Sequence, residues 1–181
     1  MRAMRMIAAV AAVTWMIVML GCSSQRANTP SFKDAVKQSL DSGGFKDVTV
    51  SEDRDKGVIT LGGKVISSNE KSKVEALAQS AAPGIVVANQ VSIEPAGYES
   101  DARNIESNVD KGIQDNFKAA LIGNKLEDQH IKYAAKNGVL TLTGEVETPR
   151  QRAQAEKLAD TIPNVEQVVN KLDVRRHKRG R

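Results

Sequence analysis

Apolar and polar residues alternate in one stretch of the chain, and that stretch occurs twice. Residues 57–65 are GVITLGGKV, and residues 138–146 are GVLTLTGEV, 81 positions further along. Alternation with a period of two predicts a half-buried β-strand, so each stretch predicts the central strand of a small sheet. Because the same spacing relates the flanking segments, the sequence predicts two copies of one structural unit.

The elements around each central strand follow from similar patterns. An apolar residue at every fourth position predicts an opening helix, a polar turn predicts a hairpin, and a capping-box sequence predicts a second helix. An apolar stretch after a proline-containing turn predicts a last strand. The predicted hairpin partners span 45–51 and 126–132, and the predicted last strands span 87–93 and 168–174. Each unit is therefore predicted to run helix, strand, strand, helix, strand.

Four glycines recur at matching positions of the two copies. Gly57 and Gly138 open the central strands, and Gly63 and Gly144 lie near their ends. At the second pair, a missing side chain would let another backbone segment pack closely. A bulge or a strand end is the alternative. Under both interpretations these glycines are structural.

Few residues in the sequence are candidates for chemistry. Asn89 and Asn170 recur inside the predicted last strands, where asparagine is unfavourable; a hydrogen bond to a neighbouring loop and a ligand contact are the two interpretations. His130 and His177 are far apart in the sequence, and Cys22 is the single cysteine. These residues make no credible metal site or catalytic triad. We therefore expect no enzyme activity, no metal and no cofactor.

The amino terminus has the pattern of an export signal. Arg2 and Arg5 precede an uncharged run over 7–20, which is short for a membrane span, so residues 1–21 are predicted to be a signal peptide. The run ends in Leu-Gly-Cys, which resembles the lipobox of bacterial lipoproteins and implies that Cys22 is lipidated. An uncleaved anchor and an incidental cysteine in an ordinary signal are the alternatives. Residues 22–30 are predicted to be the lipidated tether.

Basic residues are concentrated at the carboxyl terminus. The formal charge is +4, but without Arg2, Arg5 and the basic residues of the tail over 175–181 the remainder carries −3. Near an anionic membrane, each basic residue adds about 1 kcal/mol of attraction. A solvated, disordered tail is the alternative. Nucleic acid is not expected as a partner, because export largely removes it. The predicted contacts to anionic lipid are Arg175, Arg176, Lys178, Arg179 and Arg181.

Together, the motifs resemble the BON domain in two copies. The resemblance rests on the GV-x-T-L-x-G-x-V strand, the capped helix, the proline-bearing turn and the final V-x-N-x-[LV]-x-V strand. It covers 31–95 and 104–174, with 96–103 as a linker. The resemblance implies an α+β fold of two tandem αββαβ units, each a small three-stranded mixed sheet with two helices packed on one face.

The tandem arrangement is similar to that of dual-BON bacterial lipoproteins. This resemblance implies a non-catalytic protein on the periplasmic face of the cell envelope, anchored through Cys22, with the outer membrane as the expected location. We expect its units to bind phospholipid surfaces and to help maintain envelope integrity. The alternative is a membrane-tethered module that binds envelope proteins or acts like a chaperone.

Overall fold

The computed structural model describes residues 31–126 and 130–175. These residues form two units, each of which combines two helices with short strands. The first unit contains α1 (Lys33–Ser42), β1 (Thr49–Asp53), β2 (Val58–Gly62), β3 (Lys64–Val65), α2 (Ser68–Ala81), β4 (Val86–Asn89) and β5 (Ser92–Ile93). The second unit contains α3 (Glu99–Gly123), β6 (His130–Lys136), β7 (Val139–Val146), α4 (Pro149–Asp160), β8 (Gln167–Asn170) and β9 (Asp173–Val174).

Each unit is built on a mixed three-stranded sheet. In the first unit β2 lies between antiparallel β1 and parallel β4, and β3 pairs with β5. In the second unit β7 lies between antiparallel β6 and parallel β8, and β9 pairs with the end of β7. The predicted α+β class and mixed sheets are confirmed, with the repeated strand at the centre of each sheet.

Two helices cover the inner face of each sheet. In the first unit Val36 and Leu40 of α1 and Val74 of α2 pack on Ile59 and Leu61 of β2. The second unit places Ile113, Phe117, Ala155, Leu140 and Leu142 in the corresponding core. Full burial of one leucine is worth about 1.5–3 kcal/mol, so these aliphatic clusters supply much of the stability of each unit.

The first strand of each hairpin starts later than predicted. We predicted strands over 45–51 and 126–132, but β1 begins at Thr49 and β6 at His130. In the first unit the preceding residues close α1 instead: Gly44 has a φ of +90°, and Phe45 N donates to Leu40 O over 2.9 Å. This is the Schellman arrangement that ends many helices. Apolar residues after the helix therefore cap it rather than extend the strand.

The last strand of each unit is interrupted, and the predicted linker is partly helical. The predicted strand over 87–93 is divided into β4 and β5, and that over 168–174 into β8 and β9. Segment 96–103 is helical from Glu99 onward. Glu99 and Asp101 lie in the first turn of α3, where negative charge is favourable for a helix. α3 therefore runs from the predicted linker into the second unit.

The two hairpins differ in register by two residues. In the second unit Lys136 is opposite Val139, and only Asn137 and Gly138 form the turn. In the first unit Asp53 is opposite Val58, which leaves four residues in the turn. A shift of two preserves the alternation of inward and outward side chains, so both hairpins keep their cores.

Candidate functional site

Most of the predicted lipid contacts lie outside the described residues. Cys22 precedes Ser31, the first residue that the structure describes, and the last such residue is Arg175. Arg176, Lys178, Arg179 and Arg181 all follow that point. Arg175 itself is held by the sheet, because its N–H donates to Val146 O over 2.8 Å and its Nε to Glu145 Oε2 over 3.1 Å. Arg175 therefore lies beside the end of β7.

The repeated glycines lie where the backbone requires them. Gly57 and Gly138 have φ values of +62° and +83° in the hairpin turns. Gly63 and Gly144 have φ values of +104° and +103°, and a Cβ at either would overlap with a carbonyl oxygen of the neighbouring strand segment. A close approach of backbone therefore occurs at both positions of this second pair.

The recurring asparagines fasten each last strand to a helix. Asn89 Nδ2 donates to Lys71 O over 3.0 Å, and Asn89 Oδ1 accepts from Val91 N over 3.4 Å. Asn170 makes the equivalent bonds to Arg152 O and Leu172 N. Of the two interpretations, the structure supports a structural hydrogen bond, although its partner is a helix rather than a loop. The bonds from Val91 N and Leu172 N also fix the backbone between β4 and β5 and between β8 and β9.

The outer faces of the two sheets pack against each other. Val58 and Ala88 of the first unit form a buried cluster with Val139 and Val169 of the second. Beside them, Gln167 Nε2 donates to the backbone oxygen of β4 at position 87 over 2.7 Å. Gln167 Oε1 also accepts from the backbone N–H at position 89 over 3.3 Å. The amide of Gln167 thus forms hydrogen bonds with backbone groups at the edge of β4.

Ion pairs cross the interface on both sides of this cluster. Lys171 Nζ lies 3.0 Å from Asp53 Oδ2, and this hydrogen bond holds the pKa of Asp53 below its ordinary value of 3.8. Lys56 pairs with Asp173 next to it. On the opposite side Lys71 Nζ contacts Glu166 Oε2 at 2.9 Å and the backbone oxygen at 137 at 3.0 Å. Each hairpin turn therefore docks on the other unit.

A carboxylate on α3 connects the two units a second time, and another fixes the hairpin of the second unit. Glu106 accepts from Ile93 N over 2.8 Å, which ties α3 to β5 of the first unit. One turn later, Asp110 accepts from Asn137 N over 2.8 Å and from Gly138 N over 3.2 Å. A cleft of about 520 Å³ lies between α3 and these elements. Its central carboxylates are engaged with backbone N–H groups, so they brace the fold.

Side-chain contacts connect the start of the described chain with β1, and β1 with the region after β8. Ser31 Oγ donates to Glu52 Oε2 over 2.7 Å, and Phe32 N donates to Glu52 Oε1 over 3.1 Å. These bonds hold the pKa of Glu52 below its ordinary value. The next residue, Asp53, pairs with Lys171. Lys171 lies four positions before the last described residue, and four extended residues span at most about 14 Å.

Two kinds of feature, a metal site and a membrane-spanning helix, are not found in the described part of the chain. Among residues 31–126 and 130–175, no three side chains of His, Cys, Asp or Glu come together in a way that could hold a metal ion. None of the helices in the same ranges has the length and apolar composition needed to cross a bilayer. What these residues form is two units that are braced against each other.

The described residues form a tandem of two small α+β units, each with a mixed sheet and two helices. The profile of the BON domain family matches residues 30–95 and 109–176. The chain therefore belongs to the BON domain family and contains two copies of the domain. BON domains are in general non-catalytic binding domains, and the family is associated with membranes and phospholipid.

Solved structures give only a distant likeness. The C-terminal domain of CdsD, a structural protein of the type III secretion system of Chlamydia trachomatis, is 12% identical; the match covers 79% of this chain and 96% of that one, with a TM-score of 0.33. A second CdsD structure is also 12% identical, with coverages of 78% and 91% and a TM-score of 0.34. Similarity at this level supports no conclusion about function. The comparison with curated proteins gave no match.

Proposed function

We propose that this protein is a non-enzymatic, lipid-anchored component of the bacterial cell envelope. Its BON domains bind the phospholipid surface on the periplasmic side, the lipid on Cys22 tethers them to the outer membrane, and the basic tail adds a second contact. In this role the protein helps to maintain the membrane. Membership of a family associated with phospholipid supports the proposal at the level of the domain.

The observation that carries the proposal is the match of both units to a family associated with membranes and phospholipid. Ser31, where the tether joins the fold, is linked through Glu52 and Asp53 to Lys171, close to the start of the tail. A lipid anchor and a polybasic segment reinforce each other only if both can reach one surface. The proposal therefore requires that the tether and the tail reach the same membrane surface.

Vesicle flotation tests the lipid contact. The chain from Ser23 to Arg181 contains every described residue, so it can be mixed with vesicles of phosphatidylcholine alone or with added phosphatidylglycerol. We expect flotation only with the anionic lipid, and weaker flotation in high salt, because the attraction is screened. Equal binding to both vesicles, or no binding, would contradict the proposal. Such a result would favour the protein-binding alternative.

The tail can be tested in the same assay. Replacing its four basic residues after Arg175 with glutamine keeps its length and removes its charge. At about 1 kcal/mol for each charge, the partition coefficient should fall by roughly 100- to 1,000-fold. A solvated tail without a function predicts no change. The four substituted residues are Arg176, Lys178, Arg179 and Arg181.

The anchor has its own test in bacterial cells. Cys22→Ala should move the protein from the membrane fraction to the soluble fraction, or leave it unprocessed at the inner membrane, because a single acylated cysteine supplies the anchor. Cys22→Ser serves as a second variant, since it is close in size to the wild-type residue. Mass spectrometry that finds a mature chain with an unmodified Cys22 would refute this part of the proposal.

A further inference from the structure

The tight turn of the second hairpin contains the only asparagine in the sequence that is followed by glycine. This pair is Asn137 and Gly138. Asparagine is a thermolabile residue, and it is most labile before glycine, because a neighbour without a side chain leaves the approach to the amide carbon open. The backbone nitrogen of the glycine attacks Cγ of the asparagine to form a cyclic succinimide. The Cγ–Nδ2 bond breaks, and ammonia leaves with the proton of the glycine N–H. Water then opens the ring to aspartate or isoaspartate.

In the folded protein the attacking nitrogen is engaged by a carboxylate on α3. Gly138 is buried, and its N–H donates to Asp110 Oδ1 over 3.2 Å. The N–H of Asn137 donates to the other oxygen of the same carboxylate over 2.8 Å. The attack requires the Gly138 nitrogen to lose its proton, and a neighbouring negative charge disfavours the anion that would form. Asp110 therefore suppresses the nucleophile.

The leaving group of this reaction is engaged by the first unit. Asn137 Nδ2 donates to Gln90 O over 2.8 Å, and Lys71 Nζ donates to Asn137 O over 3.0 Å. Because Nδ2 is the atom that departs as ammonia, ring formation has to break the bond to Gln90 O. The contact between the two units therefore restrains the second partner of the reaction, as Asp110 restrains the first.

From these contacts we infer that Asn137 is a deamidation site that α3 and the first unit together keep unreactive. When the turn separates from Asp110 and from Gln90 O, the nucleophile and the leaving group are both released, and the pair reacts as it does in an unfolded chain. The product carries a carboxylate at position 137, which cannot donate a hydrogen bond to Gln90 O. The reaction thus removes a contact between the units, and it is independent of lipid binding.

Peptide mapping by mass spectrometry measures the conversion at Asn137. The chain from Ser23 to Arg181 is incubated at mildly alkaline pH, once in native buffer and once in guanidinium chloride. We expect conversion to be at least about tenfold slower in the folded chain. Asp110→Ala should speed conversion in the folded chain by about tenfold or more, because it frees both N–H groups of the turn. Asp110→Asn keeps an acceptor oxygen without the charge, so its rate should lie between those of the wild type and Asp110→Ala, and it decides the test if Asp110→Ala does not fold.

Glu106→Ala is the matched control. Glu106 lies one turn earlier on α3 and accepts from Ile93 N over 2.8 Å, so its loss removes the same kind of bond without touching the turn. We expect this variant to change conversion at Asn137 less than about threefold. Equal conversion in the folded and unfolded wild type would refute the inference, since the fold would then give no protection. Unchanged conversion in both Asp110 variants, or equal acceleration by Glu106→Ala, would also refute it, because the turn contacts would not control the rate.

Discussion

The hairpin of the first unit turns through four residues and that of the second through two, although the two sequences have equal spacing. In the second unit Asn137 and Gly138 have φ values of +50° and +83°, the conformation of a tight type I′ turn. In the first unit Lys56 occupies the place of Asn137, and lysine at a positive φ costs about 1–2 kcal/mol. The first hairpin avoids this cost by a wider turn in which Gly57 has a φ of +62°.

This difference changes what each hairpin can contact. The wide turn presents Asp53 and Lys56 to the second unit, where they form ion pairs. The tight turn points two backbone N–H groups at Asp110 and places the Asn137 amide on Gln90 O at 2.8 Å. A duplicated sequence has thus produced two different halves of one interface.

The largest loss of stability is expected at a glycine that both hairpins share. Gly144→Ala should destabilise the protein by at least about 3 kcal/mol, because the φ of +103° is strained for alanine and its Cβ would overlap with His130 O. Gly57→Ala is the matched control. Its φ of +62° lies in the left-handed region and its Cβ would meet nothing within 4 Å, so we expect a cost of about 1–2 kcal/mol. Urea unfolding measures both.

A similar cost for both variants would mean that strain at φ, and not the close approach of backbone, sets the requirement for glycine. In that case the overlap at Gly144 would be relieved by a small movement of β6. Gly63→Ala provides an independent repeat of the measurement, because its Cβ would overlap with Asp47 O in the same way.

A smaller loss of stability should distinguish the contacts of the two hairpin turns. Asp110→Ala removes the acceptor of two backbone N–H groups in the tight turn, and hydrogen bonds to a charged group are worth about 1.5–3 kcal/mol. We expect a loss of about 2–3 kcal/mol in urea unfolding. Asp53→Ala in the wide turn should cost no more than about 1 kcal/mol, because its ion pair with Lys171 is partly exposed to solvent. Equal losses would show that the turns contribute alike.

The repeat, the order of the elements and the central strands could be predicted from the sequence, because strand alternation and capping signals are local. The Thr148 capping box forms as predicted, with Gln151 N donating to Thr148 Oγ1 over 3.2 Å. The extension of α3 was missed although a signal existed: Ile105 and Val109 continue the every-fourth spacing of the apolar residues further along the helix. Because the segment over 96–103 is short and polar, it was interpreted as a linker instead.

The contacts between the units were beyond local patterns. Lys171 and Asp53 lie 118 residues apart in the chain, and each is an ordinary charged residue at or just beyond the end of a strand. Only the packing of the two units brings them together. The register of β6 was also beyond local patterns, because an alignment by the repeat spacing matches Lys132 with Ser51, whereas the structure matches it with Thr49. The Asn137-Gly138 dipeptide was the one local sign that the hairpins differ.

The smallest expected effect is the pH dependence of stability that comes from Asp53, beside the wide turn. The hydrogen bond from Lys171 lowers the pKa of Asp53 from its ordinary value of 3.8. A carboxyl group whose pKa is lower in the folded state contributes stability that is complete above its unfolded pKa and is lost as pH falls through the folded pKa. The difference in unfolding free energy between wild type and Asp53→Asn should therefore be constant near neutral pH and shrink below about pH 4. Lys171→Met should reduce this pH-dependent difference, because the side-chain hydrogen bond that lowers the pKa of Asp53 most is gone, while Lys56 still lowers it. If the difference persists at acid pH in urea unfolding, the pair is held by packing and not by charge.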